Sequence, residues 1–345
     1  MGSTYQTMEW LGTGLRLLDQ RALPANLRYL DATTIDVLVD AINTLAVRGA
    51  PALGAVGAYG VVIAMDQGAL EGWDSERLEK EIDRVRDARP TAVNLAWGVD
   101  RVRLLMAQGR DAVLDDAHAV VREDEVANRA MGVRGADWLL ARLGDRKLRL
   151  LTHCNTGTLA TTGWGTALGV IRELAARDRI EVVYVDETRP LLQGARLTAW
   201  ELVQDGIEHL VQSDGAATST IMRGLVDAAL IGADRVVANG DVANKIGSVG
   251  VALACADAGI PFLVVAPESS VDLDTAHGLD IEIEMRSGDE ILSFDCTRTA
   301  PLESEGFNPA FDVTPARLVT AFVCESAVLE VSNGQTPGMK WGRKS

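Results

Sequence analysis

The second half of the chain carries apolar runs that end near residues 152, 185, 211, 231 and 266, with helical patterns between most of them. Strands alternating with helices in this way signal a parallel, doubly wound sheet joined by right-handed crossovers. The expected fold class is therefore α/β. Ligands of such sheets bind beyond the carboxyl ends of the strands, at a switch point in the strand order. The residues just after each run are the first places to look for chemistry.

Residues 1 to 30 alternate apolar and polar positions, as in Leu15, Leu17 and Leu18, and predict a small antiparallel sheet. From Thr33 the period becomes helical, with Ile35, Leu38, Val39, Ile42 and Leu45 on one face. Arg48-Gly49-Ala50-Pro51 breaks the pattern, and further helices are expected at about 75–87, 91–108 and 111–143. The reading divides the chain into a mostly helical domain with its small sheet (1–143), a catalytic domain (144–333) and a disordered tail (334–345). A final helix is expected near 314–331.

Charge narrows the function classes. The formal net charge is −16, which argues against a nucleic-acid partner. Gly49 to Met65 is uncharged but rich in Gly and Ala, and reads as a buried core helix, with no membrane span expected. No basic segment followed by an apolar one opens the chain, so no secretory signal is expected. Four scattered cysteines fit a reduced, cytoplasmic setting, and no His, Cys and carboxylate set has metal-ligand spacing.

The first run stops at Thr152-His153-Cys154-Asn155-Thr156-Gly157. A cysteine in a polar turn before a helix start is expected to have a lowered pKa and to act chemically. Cys255 reads as core, and Cys296 and Cys324 lack catalytic context. Asp234 ends the run Ala228 to Ala233, where partial burial would raise its pKa and suit a general acid; a salt bridge to Arg235 is the plainer alternative. Asn244-Lys245 is expected to open the next helix and hold phosphate or a sugar hydroxyl. Gln193 follows the strand ending at Val185, and Arg48 and Arg89 sit at helix starts where they could converge on a phosphate. Gly163, Gly165 and Gly169 are one residue too widely spaced for a dinucleotide fingerprint and read as helix–sheet packing, a dehydrogenase being the lesser alternative.

These residues sit in long motifs: RGAPALG at Arg48, RPTAVNL at Arg89, THCNTGTLATTGWGTALGVIR at Thr152, DETRPLLQGARLTAWEL at Asp186, GADRVVANGDVANKIG at Gly232 and NPAFDVTP at Asn308. In them the chain closely resembles the methylthioribose-1-phosphate isomerases. That family also includes the α, β and δ regulatory subunits of the translation-initiation exchange factor. The resemblance runs from about residue 10 to 331. It implies a helical N-terminal domain on a Rossmann-like catalytic domain, a homodimer, no cofactor and a role in methionine salvage. It further implies that Cys154 and Asp234 act on a small sugar phosphate held by Arg48, Gly49, Ala50, Arg89, Gln193, Asn244 and Lys245. The implied reaction is an aldose–ketose isomerisation. Two rivals are an isomerase of ribose 1,5-bisphosphate or another 5-substituted ribose 1-phosphate, and a non-catalytic regulatory or binding protein. Ser248-Val249 and Cys324-Glu325-Ser326 depart from the family pattern.

Overall fold

The computed structural model describes residues 5–89, 93–294 and 297–342. Strands β1 (Met8–Trp10), β2 (Leu15–Leu18) and β3 (Tyr29–Ala32) form an antiparallel sheet. Helices α1 (Ile35–Asn43), α2 (Ala50–Glu71), α3 (Ser75–Arg86), α4 (Val93–Arg103) and α5 (Arg110–Leu143) follow. Thr34 caps α1 and Asp74 caps α3 through side-chain oxygens. Helix α2 is long and apolar enough to cross a membrane, but most of it is buried in the bundle. Its small residues let α4 approach closely; Gly98 of α4 lies directly against the Gly54 backbone.

The chain then enters β4 (Leu148–Thr152), followed by α6 (Ala167–Ala176), β5 (Ile180–Asp186), α7 (Ala199–Asp205), β6 (His209–Gln212), α8 (Ala216–Met222) and β7 (Ala228–Ile231). Next come β8 (Arg235–Val237), β9 (Val242–Lys245), α9 (Ser248–Ala258), β10 (Phe262–Val265) and β11 (Val271–Asp272). The last elements are α10 (Asp289–Leu292), the hairpin β12 (Ser293–Phe294) and β13 (Thr297–Arg298), β14 (Phe311–Thr314), β15 (Ala321–Val323), β16 (Val328–Leu329) and α11 (Pro337–Trp341).

The main sheet has the order β16-β15-β10-β7-β4-β5-β6, parallel except for β16. Side chains alternate across it. Leu150, Leu230 and Leu263 face a core shared with α5, α6 and α7, while Leu151, Ile231 and Val264 face one shared with α8 and α9. Each fully buried Leu, Ile or Val contributes about 1.5–3 kcal/mol. The strand order reverses at β4: β5 and β6 add on one side, β7 and β10 on the other. A second sheet, β11-β8-β9-β14, stands beyond the ends of β7 and β10.

Two expectations near the end of the chain are corrected. Residues 314–331 hold β15, β16 and one 3₁₀ turn, Ala316–Leu318, not a long helix; Ala321, Phe322 and Val323 are all buried beside β10, and a short apolar run does not by itself distinguish strand from helix. Residues 335–342, expected to belong to a disordered tail, carry ordered structure. Thr336 caps α11, Gly338 N–H donates to the Ala238 carbonyl at 2.8 Å, and the Trp341 ring packs edge-on against Phe322.

Candidate active site

Cys154 follows β4 and Asp234 follows β7, so the two flank the switch point of the sheet. Cys154 adopts a left-handed backbone, φ 66°, which is uncommon for a side-chain-bearing residue and frequent at functional sites. Two threonines fix it there. Its N–H donates to Thr188 Oγ1 at 2.9 Å, and its carbonyl accepts from Thr198 Oγ1 at 2.7 Å. Beneath the turn, the fully buried Glu201 accepts from Asn155 Nδ2, Thr158 N–H, Tyr5 Oη and Arg172.

A cleft of about 760 Å³ opens over this turn. Arg48, Gly49, Ala50, Arg89, Cys154, Gln193, Asp234, Asn244 and Lys245 all line it. Gly49 (φ 97°) lets the chain entering α2 touch Ala160, where any Cβ would collide with the Ala160 backbone. Arg48 reaches Asn155 through both terminal nitrogens, one at 3.3 Å to the carbonyl. The Arg48 Nε and Gln193 Oε1 are buried and have no hydrogen-bond partner among the described residues. Buried polar atoms are normally satisfied, so both suit a ligand's polar groups. Lys245 Nζ donates to the Ala310 carbonyl at 2.8 Å and lies over the Phe311 ring. Arg89 approaches Glu284 at 3.6 Å, and its neighbours Pro90, Thr91 and Ala92 lie outside the described residues, as does Cys296.

Burial pushes the Asp234 carboxyl above its ordinary range, although Lys245, Arg89 and Arg48 pull the other way. The Cys154 thiol is also pushed up by burial, against the pull of Arg48 and Lys245. This corrects the expected lowering. No helix follows the turn directly: a single 3₁₀ turn, Thr158–Ala160, and a loop come before α6. Gly163 and Gly165 belong to that loop, while Gly169 packs on Trp164 inside α6.

Asn244-Lys245 is corrected as well. The pair ends strand β9, and α9 begins at Ser248. The backbone N–H groups of Gly247 and Val249 are taken by Asp312 Oδ2 at 2.8 and 3.2 Å. The helix N-terminus therefore holds an internal carboxylate, and Lys245 faces the cleft as a strand residue. Burial lowers the Lys245 pKa, with Cys154 and Asp234 opposing the shift.

Sequence reasoning did not single out Thr161, Thr166, Leu191, Glu284, Arg286 or Phe311, which also line the cleft. Glu284 and Arg286 sit in an irregular segment without periodicity to mark them. Glu201 lies near the end of the Asp186 motif, on α7, and only its complete burial reveals its role. Arg48, Arg89, Lys245 and Arg286 outnumber Asp234 and Glu284 at the cleft wall, so an anion is favoured locally on an acidic chain.

The sequence matches the Initiation factor 2 subunit family over residues 46–331. The chain belongs to that family. Among the family's members, a methylthioribose-1-phosphate isomerase of Xanthomonas campestris is 47% identical over 93% of this chain and 91% of its own. A Nocardia farcinica protein described as a probable bifunctional methylthioribose-1-phosphate isomerase/methylthioribulose-1-phosphate dehydratase is 51% identical over 97% of this chain, which spans 61% of that longer protein. Among solved structures, the 5-methylthioribose 1-phosphate isomerase of Pyrococcus horikoshii OT3 superposes with a TM-score of 0.86 at 36% identity, covering 95% of this chain and 93% of its own. The delta subunit of translation initiation factor eIF-2B from A. fulgidus gives 0.83 at 37% identity, with 98% of each chain covered.

Proposed function

We infer that the chain is an aldose–ketose isomerase that converts 5-methylthioribose 1-phosphate to 5-methylthioribulose 1-phosphate in methionine salvage. The observation that carries the residue roles is the placement of Cys154 and Asp234 after adjacent strands, in one cleft with Arg48, Arg89 and Lys245. The relatives at 47–51% identity support the choice of substrate over a 1,5-bisphosphate and over a regulatory role.

A 1-phosphate locks the sugar ring, so no free aldehyde is available. Asp234, kept protonated by burial, donates its proton to the ring oxygen as the C1–O4 bond breaks. Positive charge develops at C1 and is shared with the phosphate-bearing oxygen. A hydride then moves from C2 to C1, and the C2 hydroxyl returns its proton to Asp234, which gives the ketose and restores the acid. The protonated Cys154 thiol is a poor base, which favours this route over proton abstraction from C2. Cys154 instead packs against the migrating hydrogen and keeps water out. The cleft cations hold the phosphate.

Purified protein, given 5-methylthioribose 1-phosphate in D₂O and followed by NMR, is expected to form the ketose without deuterium at C1. Deuterium at C1 would overturn the hydride step. Turnover of ribose 1,5-bisphosphate alone would move the substrate, and no turnover of either sugar would overturn the enzymatic reading.

A further inference from the structure

The mechanism above leaves several buried titratable groups unused, His153 among them. His153, immediately before Cys154, is 1% exposed. Its Nδ1 lies 3.0 Å from Asp186 Oδ2, and its Nε2 lies 2.8 Å from the Ile246 carbonyl oxygen. A carbonyl oxygen can only accept, so Nε2 carries a hydrogen. The other ring nitrogen faces a carboxylate whose second oxygen accepts from Gln212 Nε2 at 2.9 Å. With Asp186 ionised, the carboxylate accepts from two donors, Gln212 and the ring, and Nδ1 carries the second proton.

The contact at Ile246 gives the ring leverage on the cleft. Ile246 follows Asn244 and Lys245 at the end of β9. The next residue, Gly247, has φ 109°, and a Cβ there would lie 2.7 Å from the imidazole Cε1. Ring and turn are therefore in direct contact.

We propose that His153 is a positioning residue, a doubly protonated imidazolium that ties the end of β4 to the turn after Lys245 and so sets Asn244 and Lys245 against Cys154 and Asp234. The proposal rests on the reading of Asn244 and Lys245 as substrate-binding residues. Burial lowers the basicity of the ring, but the Asp186 hydrogen bond and charge outweigh it and hold the imidazole above its ordinary value. Burial also lifts the Asp186 carboxyl, and His153 and Gln212 offset that shift. Two more carboxylates act on the ring. Asp214 is engaged by the N–H groups of Thr188 and Arg189, and Asp312 by those of Gly247 and Val249.

Two variants separate charge from tethering. In Asp186→Asn, the amide can donate to Nδ1 while Nε2 still donates to Ile246, so the tether survives without the charge. In His153→Gln, the bridge from Asp186 to Ile246 is shortened and broken. Protein labelled with ¹⁵N-histidine reports the ring directly. At about pH 8 to 9, above the range in which a free histidine loses its proton, the wild type is expected to show one ring with both nitrogens protonated. That signal should vanish in His153→Gln and become a neutral ring in Asp186→Asn. For the sugar phosphate, His153→Gln should raise KM about tenfold, the scale of one lost charge-assisted contact, and change kcat less. Asp186→Asn should keep KM within about threefold of wild type. A wild-type ring that is neutral at pH 7 overturns the proposal. So does an equal fall in activity of both variants through kcat alone. The ring signals need no substrate, so failure of the isomerase reading and failure of the tether give different results.

Discussion

Glu201 concentrates the local energetics of the Cys154 turn. One carboxylate, with no exposed surface, serves donors from the N-terminal segment, the turn itself and helix α6. Removing the charge from a buried pair leaves its partner uncompensated at a cost of about 3–5 kcal/mol. Glu201→Gln is expected to lose stability at the lower end of that scale by urea denaturation, since Arg172 would remain charged in the core with Asp205 as its remaining carboxylate partner. Asp234→Asn should behave in the opposite way. Folding raises the Asp234 carboxyl, so the folded chain binds its proton more tightly than the unfolded one. Stability then falls as pH climbs from the ordinary carboxylate range through the folded value, and the full penalty persists above it. The variant should melt above wild type at pH 8, the difference should shrink towards pH 4, and isomerase activity should drop about 100- to 10,000-fold. A lower melting temperature at pH 8 would mean that the pairing with Lys245 outweighs the cost of burial. At this scale the sequence was most informative where a polar residue interrupted an apolar run, as at Cys154 and Asp234. It was silent where a charge acts only through burial, as at Glu201 and His153.

At the scale of elements, the parallel strands were legible because their apolar residues fill two cores with strict alternation and helices part them. The position of the cleft followed from the same pattern, since a sheet that reverses its order must leave a crevice there. Asn244-Lys245 was misplaced onto a helix because a strand of four residues carries too little periodicity to be seen, and its partner β14 is remote in sequence. Charge fixes some strands where hydrophobicity cannot. Asp227, just before β7, accepts from Arg146 and from the Arg149 side chain and backbone N–H at the start of β4. These donors hold its carboxyl well below the usual range although burial opposes them. A depressed carboxylate contributes stability that is present above the unfolded value near 4 and is lost as pH falls through the folded one. Asp227→Asn is therefore expected to cost about 2 kcal/mol at pH 7 and progressively less on acidification, measured by denaturation at both pH values.

Across the whole molecule, distant segments close the structure. Helix α11, in a stretch whose polar and basic composition suggested disorder, brings Trp341 onto Phe322 and joins the chain end to the loop after β8. Trp341→Ala should cost about 1–2 kcal/mol in a melting experiment, and proteolysis should reach the last residues sooner. The floor of the cleft has a comparable long-range dependence. Lys245 sits on β9, but β9 pairs with β14, and the Ala310 carbonyl that receives its ammonium lies 65 residues further on. A ribosome adding about 5–20 residues per second needs roughly 3 to 13 s to cover that interval. During those seconds the nascent chain carries its acid and its thiol but lacks one border of the floor. If Lys245 binds substrate as proposed, activity on the ribosome is expected only after β14 has been made, and a product released short of residue 310 is expected to be inert.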